Sequence, residues 1–96
     1  MSALTIVANI HANPDQIDVV KAALETLVPV TRGEEGCVRY DLHCDNKNPA
    51  HFMFYETWES RALWQVHRNT PHIKAFQEAT AGAIADFTLS EVTQIA

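Results

Sequence analysis

The sequence predicts an α+β fold of the ferredoxin-like kind, a split β-α-β-β-α-β with four antiparallel strands in one sheet and helices on one face. Three observations predict it. Leu4–Ile10 and Phe52–Trp58 alternate their side chains with the period of a strand. Between them, Ile17, Val20, Leu24, Leu27 and Val28 recur at helical spacing. The stretch Phe52–Phe76 then switches from strand alternation to helical spacing, and a last alternating run, Phe87–Ile95, closes the order.

In the first strand Leu4, Ile6, Ala8 and Ile10 share one side, and Thr5, Val7, Asn9 and His11 the other. Asn13-Pro14-Asp15-Gln16 reads as a helix start, with Asn13 as cap, Pro14 in the first position and Gln16 closing a capping box. Asp18, Lys21 and Glu25 mark the wet side of that helix, and Pro29 is expected to end or kink it. Pro29–Gly36 then makes a polar connection, in which Gly33 and Gly36 supply permissive dihedrals. Val38–His43 form the second strand, with Val38, Tyr40 and Leu42 facing one way and Arg39, Asp41 and His43 the other. Asp45–Pro49 is dense in turn formers and joins this strand to Phe52–Trp58 as an antiparallel hairpin. Ser60 caps a helix to about Arg68. Thr70-Pro71 starts another, to about Ala81, that offers Ile73, Phe76 and Thr80 inward.

Ninety-six residues, 47% of them hydrophobic, are expected to make one domain over residues 1–96. A formal charge of -5, with seven Lys and Arg spread singly, argues against a nucleic-acid partner. No run approaches the roughly 18 apolar residues of a membrane span, and MSALTIVANIH lacks the pattern of a leader, so no membrane and a cytoplasmic location are expected. Cys37 and Cys44, seven apart on one strand, are expected on opposite faces roughly 23 Å apart, beyond disulfide reach. Helices on one face leave the other bare, and Leu4, Ile6 and Ile10 on one face with Phe52 and Phe54 on another predict a homodimer formed sheet against sheet.

The residues that could carry chemistry gather where the sheet gives way to its helices. Asn9 is disfavoured inside a strand, so its amide either bonds to the backbone or a loop, or faces a pocket. Glu56 and Trp58 share one face of the third strand. Glu56 either pairs with an Arg or carries a raised pKa and moves protons, and the Trp58 N–H needs an acceptor when buried. His67 lies one turn beyond Leu63 on the inward stripe, either as a satisfied core residue or as a general base. His72, in the first turn of the last helix, is expected to be neutral. His11, His43 and His51 read as solvent-facing, with His43 the exception to watch. A metal is not expected: Pro71 between His67 and His72 breaks the geometry of one helical face.

Over Glu56-x-Trp58-Glu59-Ser60 and His67-x-x-Thr70-Pro71-His72-x-Lys74-Ala75-Phe76, with VANIHANP at Val7–Pro14 and EEGCVRYDL at Glu34–Leu42, the chain resembles the antibiotic biosynthesis monooxygenase family, and within it the quinol monooxygenases. The resemblance implies a dimeric ferredoxin-like fold with a pocket between sheet and helices. It also implies oxidation of a small quinol-type or polycyclic aromatic by O₂ with no cofactor. Carried over, Asn9 and Trp58 would orient and polarise substrate oxygens, with His67 the base, Glu56 its carboxylate partner or a second proton carrier, and Phe54 a pocket wall. His72 and His43 would lie at the substrate. Gln77 stands where haem-degrading relatives carry their ligating His, which argues against haem. The same pattern suits an isomerase of a small phosphorylated signalling metabolite, and a non-enzymatic small-molecule binding dimer is a third reading.

Overall fold

In the computed structural model, which describes residues 3–96, seven elements follow in the order β1 (Leu4–Ala12), α1 (Ile17–Arg32), β2 (Cys37–Cys44), β3 (His51–Trp58), α2 (Arg61–Arg68), α3 (Pro71–Ala79) and β4 (Ile84–Val92). The strands form one sheet in the order β2-β3-β1-β4, antiparallel throughout. This is the expected ferredoxin-like topology, with the second helical unit broken into two short helices. Among the described residues no helix is long and apolar enough to cross a membrane.

The core lies between the helices and one sheet face. Ile6, Ala8 and Ile10 of β1, Tyr40 of β2 and Phe52, Phe54 and Trp58 of β3 are buried against Val20, Leu24 and Leu27 of α1 and Trp64 of α2. The register puts Ile10 beside Phe52 and Ala8 beside Phe54. The apolar groups assigned to two opposite faces therefore share the helix side, which removes the premise of the expected sheet-to-sheet contact. The open face instead presents Val7, Met53 and Tyr55, all half-buried, among Asn9, His11, Arg39 and Asp41. Periodicity fixes which residues of a strand share a face, but only register says which faces of two strands coincide.

The element boundaries depart from expectation where tertiary contacts outweigh local signals. Asn13 does not cap α1. Its Nδ2 donates to Gly82 O at 2.9 Å and its N–H to Ala83 O at 2.8 Å, tying the end of β1 to the start of β4, and the helix begins four residues later without a side-chain cap. Pro29 does not stop α1, which runs on to Arg32. Pro29 is on the exposed side, where water can serve the Glu25 carbonyl that loses its partner, and the turn beyond is held by buried Thr31 and by Arg32 Nε donating to Tyr40 O at 3.1 Å. β4 starts and ends three residues before the expected Phe87 and Ile95. Val92 pairs with Thr5 near the beginning of β1, so Thr93–Ile95 have no strand to bond to, and Ile95 is fully exposed.

In β2 the pairing steps from Cys37–Trp58 to Arg39–Thr57, leaving Val38 as the extra residue of a bulge and 62% exposed. The bulge shifts the strand's parity. Cys37 and Cys44 consequently fall on the same side rather than opposite ones, opposite Trp58 and Phe52 at the two ends of β3, still about 20 Å apart. Both are free thiols. Ser60 caps α2 as expected, accepting from Leu63 N at 3.2 Å, whereas the Thr70 hydroxyl turns back to donate to His67 O at 2.8 Å.

Gly36 joins the loop after α1 to β2 with φ 83°, and its carbonyl accepts from Glu59 N at 2.8 Å. A Cβ there would meet Leu63 Cβ at 2.8 Å and crowd Leu63 Cδ1. Gly36→Ala is accordingly expected to lower unfolding free energy by about 1–3 kcal/mol through backbone strain and overpacking. Chemical denaturation checks this, and an unchanged midpoint would rule out the close approach of this turn to α2.

Candidate functional site

Between the sheet and α2–α3 lies a cavity of about 400 Å³. Ala8 and Ile10 of β1, Phe54 of β3, Leu24 and Leu27 of α1, Trp64 of α2, Ile73 and Phe76 of α3 and Leu89 of β4 give it an apolar wall. The space exists because α3 is short and stands off the sheet: none of its residues is fully buried, and Ile73 and Phe76 reach inward without closing the gap. Its polar wall is made by Tyr40, Glu56, His67, Arg68, Gln77 and Thr80.

Burial and three neighbours fix His67. The strand-facing turn of α2 presses its ring against Trp58, centroids 4.7 Å apart, with Tyr40 at 5.6 Å edge-on. Tyr40 in turn stacks on Phe54 at 4.4 Å. His67 Nδ1 lies 2.8 Å from Glu34 Oε2, and the same oxygen is 2.7 Å from His72 Nε2. An ionised carboxylate only accepts, so both ring nitrogens facing it carry hydrogens. Burial lowers the pKa of His67 below the usual imidazole value, outweighing the upward pull of Glu34. The ring is thereby held neutral with its hydrogen on Nδ1. Nε2 keeps a lone pair that has no protein partner among the described residues and is not sealed from solvent.

Glu56 is buried at 4% exposure, and its Oε1 accepts from Trp58 Nε1 at 3.0 Å. Burial raises its pKa from 4.5 to about 7, against the bond from Trp58, which lowers it, and with a smaller push from the Glu34 charge. The cavity therefore has a carboxyl able to exchange protons near neutrality beside an imidazole held neutral. The Tyr40 hydroxyl is pushed far above its ordinary value by burial and stays protonated.

The structure brings together only part of the set expected from sequence. His67, Glu56 and Phe54 line the cavity. Trp58 lies behind its wall, fully buried, and acts on it through Glu56. Glu56 is not the carboxylate partner of His67; that place belongs to Glu34. His72 joins the same carboxylate from α3 and faces a smaller groove of about 230 Å³ between α1 and α3. Asn9 and His43 are elsewhere. Both project from the open sheet face, Asn9 beside Met53 on one strand and His43 beside it on the other. Asn9 Oδ1 is 2.8 Å from His51 Nε2, His51 Nδ1 is 3.0 Å from Asp45 Oδ2, and His11 stacks on His51 at 4.2 Å. His43 is exposed. Strand alternation decides this, since the odd-numbered residues of β1 point away from the helices.

Glu34 was missed because it sits in the polar connection TRGEEG, 33 positions before His67, where no local spacing relates the two. Its place within the EEGCVRYDL segment was the only signal available. The exclusion of a shared site for His67 and His72 assumed one helical face. The break between α2 and α3 places the rings on separate helices, with centroids 6.2 Å apart.

Comparison with known proteins agrees with this architecture. A crystal structure of PA3566 from Pseudomonas aeruginosa superposes with a TM-score of 0.96 at 29% identity, covering 100% of this chain and 97% of that one. Among curated relatives, the uncharacterized protein sll1783 of Synechocystis is 29% identical over 85% of this chain, which spans 56% of that protein's length. A protein of Escherichia coli K12 named probable quinol monooxygenase YgiN is 31% identical over 90% of this chain and 92% of its own. The family model described as antibiotic biosynthesis monooxygenase matches residues 3–79. The chain belongs to the antibiotic biosynthesis monooxygenase family.

Proposed function

We propose that the chain is a cofactor-independent monooxygenase that oxidises a small quinol-type or polycyclic aromatic with O₂, His67 serving as base. The observation that carries this reading is the state of one ring: His67 lines an apolar cavity of about 400 Å³ with Nδ1 tied to Glu34 and Nε2 without a protein partner among the described residues. An aromatic hydroxyl placed against Nε2 would give up its proton there, leaving an electron-rich anion able to reduce O₂ directly. The apolar walls would keep water away from that anion. Glu56, with a pKa of about 7, is suited to return or relay a proton to the oxygenated product. The monooxygenase name of the E. coli relative supports the reaction class, and its quinol name the substrate class.

O₂ uptake in the presence of a chemically reduced menadione-type quinol tests the reading. Uptake proportional to enzyme, with appearance of an oxygenated or oxidised product, is expected. Stoichiometric binding with the quinol recovered unchanged would instead make the protein a binding module. Isomerisation of a phosphorylated metabolite is less well served, because Arg68 is the one Lys or Arg on the cavity wall among the described residues. The working unit we propose is a homodimer joined through the open sheet face, where Val7, Met53 and Tyr55 offer apolar surface. Sedimentation as a monomer at micromolar concentration would overturn that assembly.

A further inference from the structure

Glu34, His67 and His72 form an arrangement that proton transfer by His67 does not require. Two imidazoles from different helices aim at a single carboxylate oxygen, at 2.8 Å and 2.7 Å, and one ligand atom from each of the three residues lies within 4.8 Å of the others. No other group of three His, Cys, Asp or Glu side chains among the described residues meets that condition. These are not loose surface groups: the side chains are 5% exposed for His67, 14% for Glu34 and 23% for His72. His67 is held by Trp58 and Tyr40, and His72 by the first turn of α3 behind Pro71.

We propose that Glu34, His67 and His72 form a binding site for a single Zn²⁺ ion, with Nδ1 of His67, Nε2 of His72 and a carboxylate oxygen of Glu34 as protein ligands and solvent completing the shell. Two imidazoles and one carboxylate are a donor set that zinc takes at three-protein-ligand sites. Ligand atoms about 2.0–2.1 Å from a tetrahedral cation lie roughly 3.3 Å apart, so the carboxylate must withdraw about half an ångström from each ring, and the two ring nitrogens, within 4.8 Å of each other, must come to that same spacing. Glu34 stands between Gly33 and Gly36 in the short loop that leaves α1, outside any helix or strand, and can make that shift. The proton balance is simple. A ring carrying one hydrogen moves it from the nitrogen that faces Glu34 to its other nitrogen, and the cation takes the vacated lone pair, so no proton need leave the site. Solvent reaches the site past the part-exposed His72.

The location of the ion decides what it does. Neither Glu34 nor His72 lines the large cavity, so the cation sits behind the His67 ring and does not touch a substrate. Its effect reaches the cavity through the tautomer: with Nδ1 on the metal, Nε2 carries the hydrogen and becomes a donor. Zinc therefore acts as an off-switch for the base, a consequence that rests on the proposed reaction, whereas the binding site itself does not.

The test reads the metal alone. Metal-free protein titrated with Zn²⁺ by calorimetry, and with Co²⁺ by visible absorption, is expected to take up one ion per chain and to give the intense bands of low-coordinate cobalt. His72→Ala and Glu34→Gln should each weaken Zn²⁺ binding at least about tenfold. His51→Ala, which removes the centre of the histidine group on the opposite sheet face, should leave binding unchanged. Circular dichroism of the variants separates lost ligation from lost folding. Absence of one-to-one uptake by the wild type, or uptake that survives His72→Ala at wild-type affinity, would overturn the site. Neither result bears on whether the protein consumes O₂, so the two proposals fail separately.

Discussion

Replacement of His67 by asparagine is expected to cut turnover by roughly 10²-fold or more, the usual contribution of a positioned general base. Asparagine is more informative than alanine at this position. Its Nδ2 can occupy the place of the imidazole Nδ1 and keep the bond to Oε2 of Glu34, whose side chain is 14% exposed and would otherwise lose a partner. What the substitution removes is Nε2, the ring nitrogen of this cavity-lining residue that Glu34 does not hold. His67→Ala should lose at least as much activity and also leave a void between Trp58 and Tyr40, so its stability should fall as well. A folded His67→Asn protein with wild-type turnover would remove the base from the mechanism. Glu34→Gln separates positioning from proton transfer. It still meets the rings but no longer requires a hydrogen on both facing nitrogens, so a partial loss with a displaced pH profile is expected.

Stability is expected to fall as pH rises from about 4.5 to about 7, by up to about 3 kcal/mol, because of Glu56 alone. The sign follows from proton counting. With its folded pKa raised to about 7 and an unfolded value near 4.5, Glu56 in this window keeps a proton in the native state that the unfolded chain has released. The native state is therefore favoured at the acid end and loses that advantage as the carboxyl ionises in its buried site. His67 acts in the opposite sense, since its folded pKa is lowered: below the ordinary imidazole value the unfolded chain binds a proton that the buried ring does not. The diagnostic quantity is thus the difference between wild type and Glu56→Gln, a neutral side chain that can still accept from Trp58 Nε1. Denaturation across pH 4.5–8 should show the variant gaining on the wild type through the window and staying ahead above it. Parallel curves would mean that Glu56 titrates normally. The same group should appear in turnover as an ionisation near 7 that Glu56→Gln abolishes.

Much of the fold was legible from side-chain periodicity. The alternation in Leu4–Ile10 and Phe52–Trp58 identified β1, β3 and the residues that share each face, and Ser60 marked the start of α2 correctly. Local signals failed where a distant partner competed for the same group. Asn13 has the chemistry of a helix cap, but its amide is taken by Gly82 and Ala83. Pro29 has the chemistry of a helix stop, yet the buried Thr31 and the Arg32–Tyr40 bond beyond it carry α1 onward. The single extra residue at Val38 reversed the parity of β2, which no composition of the strand announces.

The candidate site divides along the same line. Residue type and alternation sufficed to put Phe54, Glu56 and Trp58 on one side of β3 and His67 on the inward stripe of α2, because those relations are set within a single element. Which carboxylate meets the imidazole was settled elsewhere. Glu34 reaches His67 and His72 only after α1, the sheet and two helices have packed, whereas Asn9 lies on the far side of the sheet by strand alternation, opposite the face that the helices cover. Sequence determined the faces of each strand and helix, since these repeat every two or three to four residues. Tertiary structure alone decided the pairs across elements, because register, a bulge and a helix break add offsets that no local period contains.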